Sequence, residues 1–210
     1  MARAQSASGP SHAMTRFREC CGYSFLELMM VMALGVTLCA GAVPQYLSAL
    51  DDVRAIGATR HISGRFQRAR MEAVMRSATV GVQFTQTSSG YSYAVYMDGN
   101  GNGVLARDIQ RGIDPPIAAP ERLPDQFVGV EFGAIAGLPP VDPGGTPPGT
   151  DPIRMGAGSV ASFSAMGTSS SGTVYIRGKR DAQYAVRLFG ETGKTRILKF
   201  ERGTGQWRPL

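Results

Sequence analysis

The residues whose types and spacing most directly suggest chemistry are Gly22, Tyr23 and Glu27. Glu27 is the only charged side chain in residues 23–50, and an ionised carboxylate near the centre of a bilayer costs about 2.5–3.5 kcal/mol. A buried acid of this kind needs a cationic partner. Cleavage after Gly22 would create one, a free amine on Tyr23, and a flexible glycine suits an extended backbone entering a protease. The order of these residues therefore offers a cut after Gly22 as one possible source of a cationic partner for Glu27.

A second candidate site is an oxygen-rich loop in the middle of the chain. Asp98, Asn100 and Asn102 stand at alternate positions before a glycine, as in the first half of an EF-hand calcium loop. The twelfth position, which needs a bidentate acid, is isoleucine, and Asp108 stands one residue early. A Gly/Asn-rich connection between strands is therefore favoured. The alternative is a non-standard calcium site that includes Asp108, with Asp114 helping to close it, and no other cofactor is expected.

A third candidate is a basic surface near the C-terminus. Residues 173–210 carry nine Lys or Arg against three acids. Lys194, Arg196, Lys199 and Arg202 could follow a phosphate backbone without sequence preference, and such binding weakens steeply with salt. A solvated strand face is the favoured interpretation, because strands often present Lys and Arg to water.

Composition limits the remaining chemistry. The 210 residues, 43% apolar and 18% charged, suffice for one ordinary domain, and 27 Gly with 13 Pro indicate many turns. The cysteines are Cys20, Cys21 and Cys39, so the polar remainder of the chain has no disulfide framework or cysteine metal site. The only histidines are His12 and His61, and His61 is expected as a solvated helical side chain. Most hydrolase chemistry is therefore disfavoured.

The first secondary-structure element that the sequence predicts is an apolar helix. Residues 28–43 are apolar, and a helix over residues 23–50, at about 1.5 Å per residue, can cross a hydrocarbon core of roughly 30 Å. Residues 40–42, Ala-Gly-Ala, resemble a signal-peptidase site, so a secretory signal and a plain anchor remain alternatives. Pro44 is expected to kink this helix or else to end it.

Residues 51–76 are predicted to continue the helix as an amphipathic segment. Apolar residues spaced close to i, i+3, i+7 would pack on a sheet, with Arg on much of the other face. The predicted stripe consists of Val53, Ile56, Ile62, Phe66, Ala69, Ala73 and Val74. Gly57 and Gly64 each weaken a helix by about 1 kcal/mol relative to Ala, so a bend is allowed there.

Alternating residues in 77–210 predict an antiparallel sheet. Residues 80–84 and 91–96 are expected to form a hairpin with its turn at residues 87–90. Further strands are predicted near residues 127–132, 160–163, 173–177, 183–189 and 195–200. Residues 133–152 carry six of the thirteen prolines and should form an inserted surface loop. A helix followed by an antiparallel sheet is an α+β architecture.

The N-terminal residues resemble the processing motif of type IV prepilins and pseudopilins. That motif has Gly at the cut, an aromatic residue next and Glu as the fifth mature residue, the places held here by Gly22, Tyr23 and Glu27. Phe is commoner than Tyr in that family, and the Cys20-Cys21 pair is not part of its pattern. The resemblance implies that an inner-membrane prepilin peptidase cuts after Gly22 and methylates the new N-terminus on Tyr23.

The resemblance also implies a division of the chain. Residues 1–22 would be the leader, residues 23–50 the transmembrane and filament-core helix, and residues 51–210 a pilin-like head on the periplasmic side. Residues 162–175 are similar to the C-terminal part of GspH/FimT-type minor pseudopilins. This family implies a non-enzymatic structural subunit of a type II secretion pseudopilus or type IV pilus. Its partners would be prepilin peptidase, the bacterial inner membrane, and other pseudopilins through the N-terminal helix. In such a bundle of helices Glu27 would neutralise the amine of a neighbouring subunit.

A FimT-like minor pilin that binds DNA for uptake is the alternative. Residues 193–196, Gly-Lys-Thr-Arg, resemble the Gly-Arg-x-Arg motif by which some of those pilins hold DNA, with Lys in place of the first Arg. The resemblance implies that Lys194 and Arg196 would contact phosphates, as part of the basic surface described above.

Overall fold

The computed structural model describes residues 22–156, 158–180 and 182–210. The described part of the chain divides into an N-terminal unit that ends at residue 42 and a C-terminal unit that begins at residue 43. Apart from Gly22, the predicted leader lies outside the described residues.

The longest element is helix α1, Phe25–Arg76. At its start, the backbone N–H of Glu27 donates to Ser24 Oγ at 3.1 Å. Ser followed three residues later by Glu is the capping-box pattern, which satisfies N–H groups that lack a partner in the first turn. The helix continues through Pro44. The predicted extension over residues 51–76 is therefore confirmed, and the proline does not end the helix.

The other elements follow α1 in the C-terminal unit. In chain order they are β1 (Val80–Thr87), β2 (Gly90–Met97), α2 (Ala106–Gln110), α3 (Leu123–Gln126), β3 (Glu131–Phe132), β4 (Ile153–Met155), β5 (Val160–Phe163), β6 (Gly172–Arg177), β7 (Gln183–Leu188), β8 (Thr195–Glu201) and β9 (Gln206–Pro209). The prediction missed α2, α3, β4 and β9, and its strand near residues 127–132 is reduced to the two residues of β3. These elements are too short to leave a clear period in the sequence.

The strands form two antiparallel sheets. The first has the order β2-β1-β5, and Val82 of β1 pairs with Val95 on one side and Ala161 on the other. The second has the order β3-β6-β7-β8-β9, with β4 also paired to β6. The strands at 160–163, 173–177, 183–189 and 195–200 are confirmed within a residue or two, and the predicted hairpin is confirmed with β1 three residues longer than expected.

One face of α1 packs on both sheets and forms the main core. Phe66 contacts Phe84 of the first sheet, with ring centroids 6.2 Å apart, and Phe163 of the same sheet at 6.0 Å. The second sheet contributes Val174, Ile176, Tyr184, Val186 and Leu188 to the same cluster. The structure is therefore the predicted α+β arrangement of a long helix on antiparallel sheet.

The buried stripe of α1 differs in part from the predicted one. Its buried residues are Asp51, Ala55, Ala58, Thr59, Ile62, Phe66, Ala69 and Ala73. Val53 and Val74 are 65% and 50% exposed, so their assignment to the stripe was wrong. Val53 lies two residues from Ala55, about 200° around the helix, and therefore points away from the sheets. Small residues take up much of the true stripe, which lets the helix approach the strands closely.

The proline-rich segment covers the outer face of the second sheet. Residues 133–152 contain no helix or strand, as predicted. Leu138 packs with Tyr175 and Ala185 in a second, smaller core, and Trp207 Nε1 donates to the carbonyl of Pro139 at 3.0 Å. The segment therefore shields apolar side chains that would otherwise face water.

Candidate functional site

The N-terminal unit presents an apolar helix that its own residues do not cover. The described residues 22–42 are all exposed, and an 18-residue window of α1 has a mean hydropathy of 2.0 with none of it buried. Among the described residues, α1 is the one helix long and apolar enough to cross a membrane. Gly22 and Tyr23 precede the helix and are exposed, and the backbone there is in neither helix nor strand.

Glu27 lies in the first turn of this helix with an exposed side chain. Its backbone N–H is satisfied by Ser24, and a carboxylate at a helix N-terminus is favoured by the helix dipole. No Lys, Arg or His among the described residues forms an ion pair with it. The carboxylate is therefore exposed at the helix start, with no ion-pair partner among the described residues.

Two acids that follow the apolar run attach α1 to the second sheet. Asp51 is 7% exposed and accepts hydrogen bonds from the backbone N–H groups of Lys179 at 2.8 Å and Arg180 at 3.0 Å. Asp52 accepts from the Tyr184 hydroxyl at 2.8 Å and pairs with Lys199 Nζ at 2.8 Å. Burial, and then the hydrogen bond to Asp52, raise the pKa of the Tyr184 hydroxyl above its ordinary value. Neither acid was predicted to have a structural role, although an adjacent pair of acids directly after an apolar run is a signal that the sequence shows.

The residues of the predicted basic surface do not share one face. Arg196 and Lys199 are an odd number of residues apart in β8, so their side chains project from opposite faces of the sheet. Lys199 faces α1 and pairs with Asp52, whereas the Arg196 guanidinium lies 5.4 Å from the centroid of the Phe189 ring. Lys194 and Arg202 are exposed. Lys194 and Arg196 line one open groove of about 590 Å³ that does not include Lys199.

The oxygen-rich loop uses its carboxylates to hold its own backbone. Asp98 accepts from the N–H groups of Gly101 and Gly103, both at 2.7 Å. Asp114 is buried and accepts from Gly99 and Leu105 N–H, both at 3.1 Å.

Two further side chains of the loop bond to each other. Asn102 Nδ2 donates to the buried Asp108 at 3.0 Å, and Asn100 Oδ1 accepts from the backbone of Asn102. Within the described residues no group of three or more His, Cys, Asp or Glu is arranged to hold a metal ion. Calcium binding stays a prediction. The favoured connection between two strands was wrong, because this loop leads from β2 into helix α2.

His61 belongs to a partly buried polar cluster, so its description as a solvated side chain was wrong. Its Nε2 lies 3.0 Å from the Tyr93 hydroxyl, which donates to Glu121 at 3.0 Å. Burial, and then repulsion from Arg65, lower the pKa of His61. Burial raises the pKa of Glu121, but hydrogen bonds from Arg65 and Tyr93 outweigh it and hold that pKa below its ordinary value. The cluster joins α1 to the first sheet and to the segment before α3.

Comparison with known proteins identifies the fold of the C-terminal unit. The family described as type II transport protein GspH matches residues 58–192, more than half of the chain. The chain belongs to the GspH family. No curated protein and no solved structure matches it. This match confirms the predicted resemblance to GspH-type pseudopilins. The family is structural, serves type II secretion and is generally non-enzymatic.

The GspH match lies entirely within the C-terminal unit. The matched residues run from Ala58 of α1 through β7 into the turn before β8. The processing motif at residues 22–27 and the basic residues from Lys194 onward lie outside the match. The family assignment therefore rests on the head, independently of the N-terminal motif.

Proposed function

We propose that the protein is a minor pseudopilin of a type II secretion pseudopilus, cleaved after Gly22 by a prepilin peptidase and methylated on the new N-terminus of Tyr23. Its N-terminal helix would anchor it in the inner membrane, with the C-terminal unit on the periplasmic side, and would then pack among the helices of other pseudopilins. The observation that carries the proposal is an uncovered apolar helix with a lone acid in its first turn, in a chain whose head belongs to the GspH family.

The chemistry of Glu27 supports assembly through this helix. In a bundle of apolar helices the carboxylate loses its water, and only an opposite charge offsets that loss. The new amine on Tyr23 of a neighbouring subunit is such a charge. The capping hydrogen bond from Glu27 N–H to Ser24 holds the first turn in helical form, so the carboxylate has a defined place along the helix.

Mass spectrometry of the N-terminal peptide from the native cell membrane tests the processing step. The expected mature chain begins at Tyr23 and carries one added methyl group. A chain that begins at Val43 would indicate signal peptidase, and one that retains the residues before Gly22 would indicate a plain anchor. Either result would overturn the proposal. A strain without its prepilin peptidase is the control, and it should accumulate the uncut chain.

DNA binding is the second candidate, and the groove that contains Lys194 and Arg196 is the observation in its favour. Arg60 also lines this groove, and the Phe189 ring beside Arg196 offers an aromatic surface for stacking. The test is a mobility-shift titration of the full chain in uncharged detergent at several salt concentrations. The Lys194→Gln/Arg196→Gln variant should lower the salt slope by about two, since each phosphate contact on duplex DNA contributes about 0.9.

A control variant of equal charge is Arg68→Gln/Arg111→Gln, both of whose arginines are exposed elsewhere. Absence of a salt-sensitive shift in the native chain, or equal loss in both variants, would remove DNA uptake as a function and leave the pseudopilin proposal standing.

A further inference from the structure

An open groove of about 660 Å³ in the C-terminal unit combines cationic side chains with an apolar floor. Its floor includes Leu47, Leu50 and Val128, and Val128 is 69% exposed. Its cationic lining includes Arg54, Lys179 and Arg180, all exposed. We call this feature the basic groove.

Among the described residues, the basic groove is lined by four cations, including Arg177, and by the two acids Asp51 and Glu131, so positive charge is in excess. Arg177 also lines it but pairs with Glu131. No carboxylate of the described residues pairs with the side chains of Arg54, Lys179 or Arg180. Asp181 follows Arg180 in the sequence and lies outside the described residues. Three guanidinium or ammonium groups around one groove attract an anion.

Two of the cationic side chains, Lys179 and Arg180, project from a turn whose backbone is held by Asp51. Asp51 binds the N–H groups of Lys179 and Arg180, and a Cβ at Gly178 would lie 2.5 Å from Asp51 Oδ2. Gly129, at φ +82°, lies where a Cβ would come within 3.3 Å of the Lys179 stem. The aliphatic part of the Lys179 side chain therefore lies against Gly129, and both residues line the groove.

The place of the basic groove along the chain indicates the chemistry of its ligand. Leu47 lies within the predicted transmembrane helix, residues 23–50, and Arg54 is the fourth residue after its end. At about 1.5 Å per helical residue Arg54 is roughly 6 Å beyond that end, which matches the headgroup layer of about 5–7 Å on each side of a hydrocarbon core of about 30 Å. An amphiphile with a phosphate and acyl chains matches both the cations and the apolar floor.

We propose that the basic groove binds the phosphate headgroup of an anionic phospholipid of the membrane that holds α1. The phosphate accepts hydrogen bonds from Arg54, Lys179 and Arg180, and the upper acyl carbons lie against Leu47 and Val128. The inference rests on the proposed membrane anchorage. It adds a lipid contact that fixes the C-terminal unit at the membrane surface before the subunit enters a filament.

The test is a titration of the purified full chain, in uncharged detergent, with the short-chain lipid dioctanoylphosphatidylglycerol. Dioctanoylphosphatidylcholine and free glycerol 3-phosphate are the parallel ligands. Each basic side chain near an anionic lipid surface contributes about fivefold in affinity, so Arg54→Gln/Lys179→Gln/Arg180→Gln should weaken phosphatidylglycerol binding on the order of 100-fold. Lys179→Gln alone, which keeps the backbone N–H to Asp51, should weaken it about fivefold.

The matched control is Arg68→Gln/Arg111→Gln/Lys194→Gln, which removes the same charge from exposed sites outside the basic groove. It should bind phosphatidylglycerol like the native chain. Equal weakening in both triple variants, equal binding of phosphatidylcholine, or equally tight binding of glycerol 3-phosphate would each overturn the inference.

Loss of co-purification with other pseudopilins in the basic-groove variant, with lipid binding unchanged, would also overturn the inference and assign the groove to a protein partner. The titration uses unassembled protein, so its failure leaves processing at Gly22 and assembly through Glu27 untouched.

Discussion

Replacing Asp51 by alanine removes the carboxylate that joins α1 to the turn between β6 and β7. Two hydrogen bonds of 3.0 Å or shorter end on this carboxylate, and hydrogen bonds to charged groups contribute about 1.5–3 kcal/mol each. The total is about 3–6 kcal/mol. Lys179 and Arg180 are exposed, so water replaces part of the loss at the turn, and the lower end of that range, about 3 kcal/mol, is expected.

The assay is chemical and thermal unfolding of the full chain in uncharged detergent, followed by tryptophan fluorescence. Trp207 is the only tryptophan and packs on Tyr175 and Phe200 of the second sheet, so its emission reports the sheet to which Asp51 is attached. For a unit of this size, about 3 kcal/mol corresponds to a fall in Tm of roughly 6–12 °C. Asp51→Asn keeps one acceptor oxygen and should lose about half as much.

The control is Asp125→Ala, which removes an exposed acid from α3 and should change the free energy of unfolding by less than about 0.5 kcal/mol. If Asp51→Ala and Asp125→Ala unfold alike, the turn does not depend on the carboxylate. The account of how Lys179 and Arg180 are positioned would then be refuted.

Three other outcomes are expected. Glu27→Gln keeps a residue type that suits the capping box but removes the charge. The variant should therefore still be cleaved but be depleted from sheared pseudopili, because the neighbouring amine loses its partner. Equal recovery of the variant and native chains would contradict the assembly role. The free energy of unfolding should fall as pH drops from about 6.5 through 4.5. The folded-state pKa values of His61 and Glu121 both lie below their ordinary values of 6.5 and 4.5, so the unfolded chain binds more protons than the folded chain as the pH falls. A free energy of unfolding that stays constant over that pH range would contradict this. Phe66→Ala should lower the free energy of unfolding by about 3–5 kcal/mol, measured in denaturant, whereas Val53→Ala on the exposed side should lower it by less than about 0.5 kcal/mol. Similar losses in the two variants would contradict the assignment of the buried face of α1.

Local pattern was sufficient for the elements with a long period. The hairpin of β1 and β2 follows from strict alternation around a short turn, and α1 follows from an apolar run that passes into an amphipathic one. The same reasoning misassigned Val53 and Val74, because a stripe of small residues is weaker in hydropathy than the valines beside it. His61 was misjudged for a different reason, since its partners Tyr93 and Glu121 are 32 and 60 positions away in the chain.

The sequence by itself determined the lone Glu27 near the start of a membrane-length apolar run and the α+β class, because each depends on residues that are neighbours along the chain. The cut after Gly22 stays a prediction. Only the tertiary structure decided that Asp51 binds a turn 128 residues later, and that Lys199 pairs with Asp52 of α1 while Arg196 lies over the Phe189 ring. It also decided that Arg54 and Lys179 line one groove. These pairings depend on sheet register and on the packing of α1, and a charge count along the sequence carries no information about which face of the sheet each charge occupies.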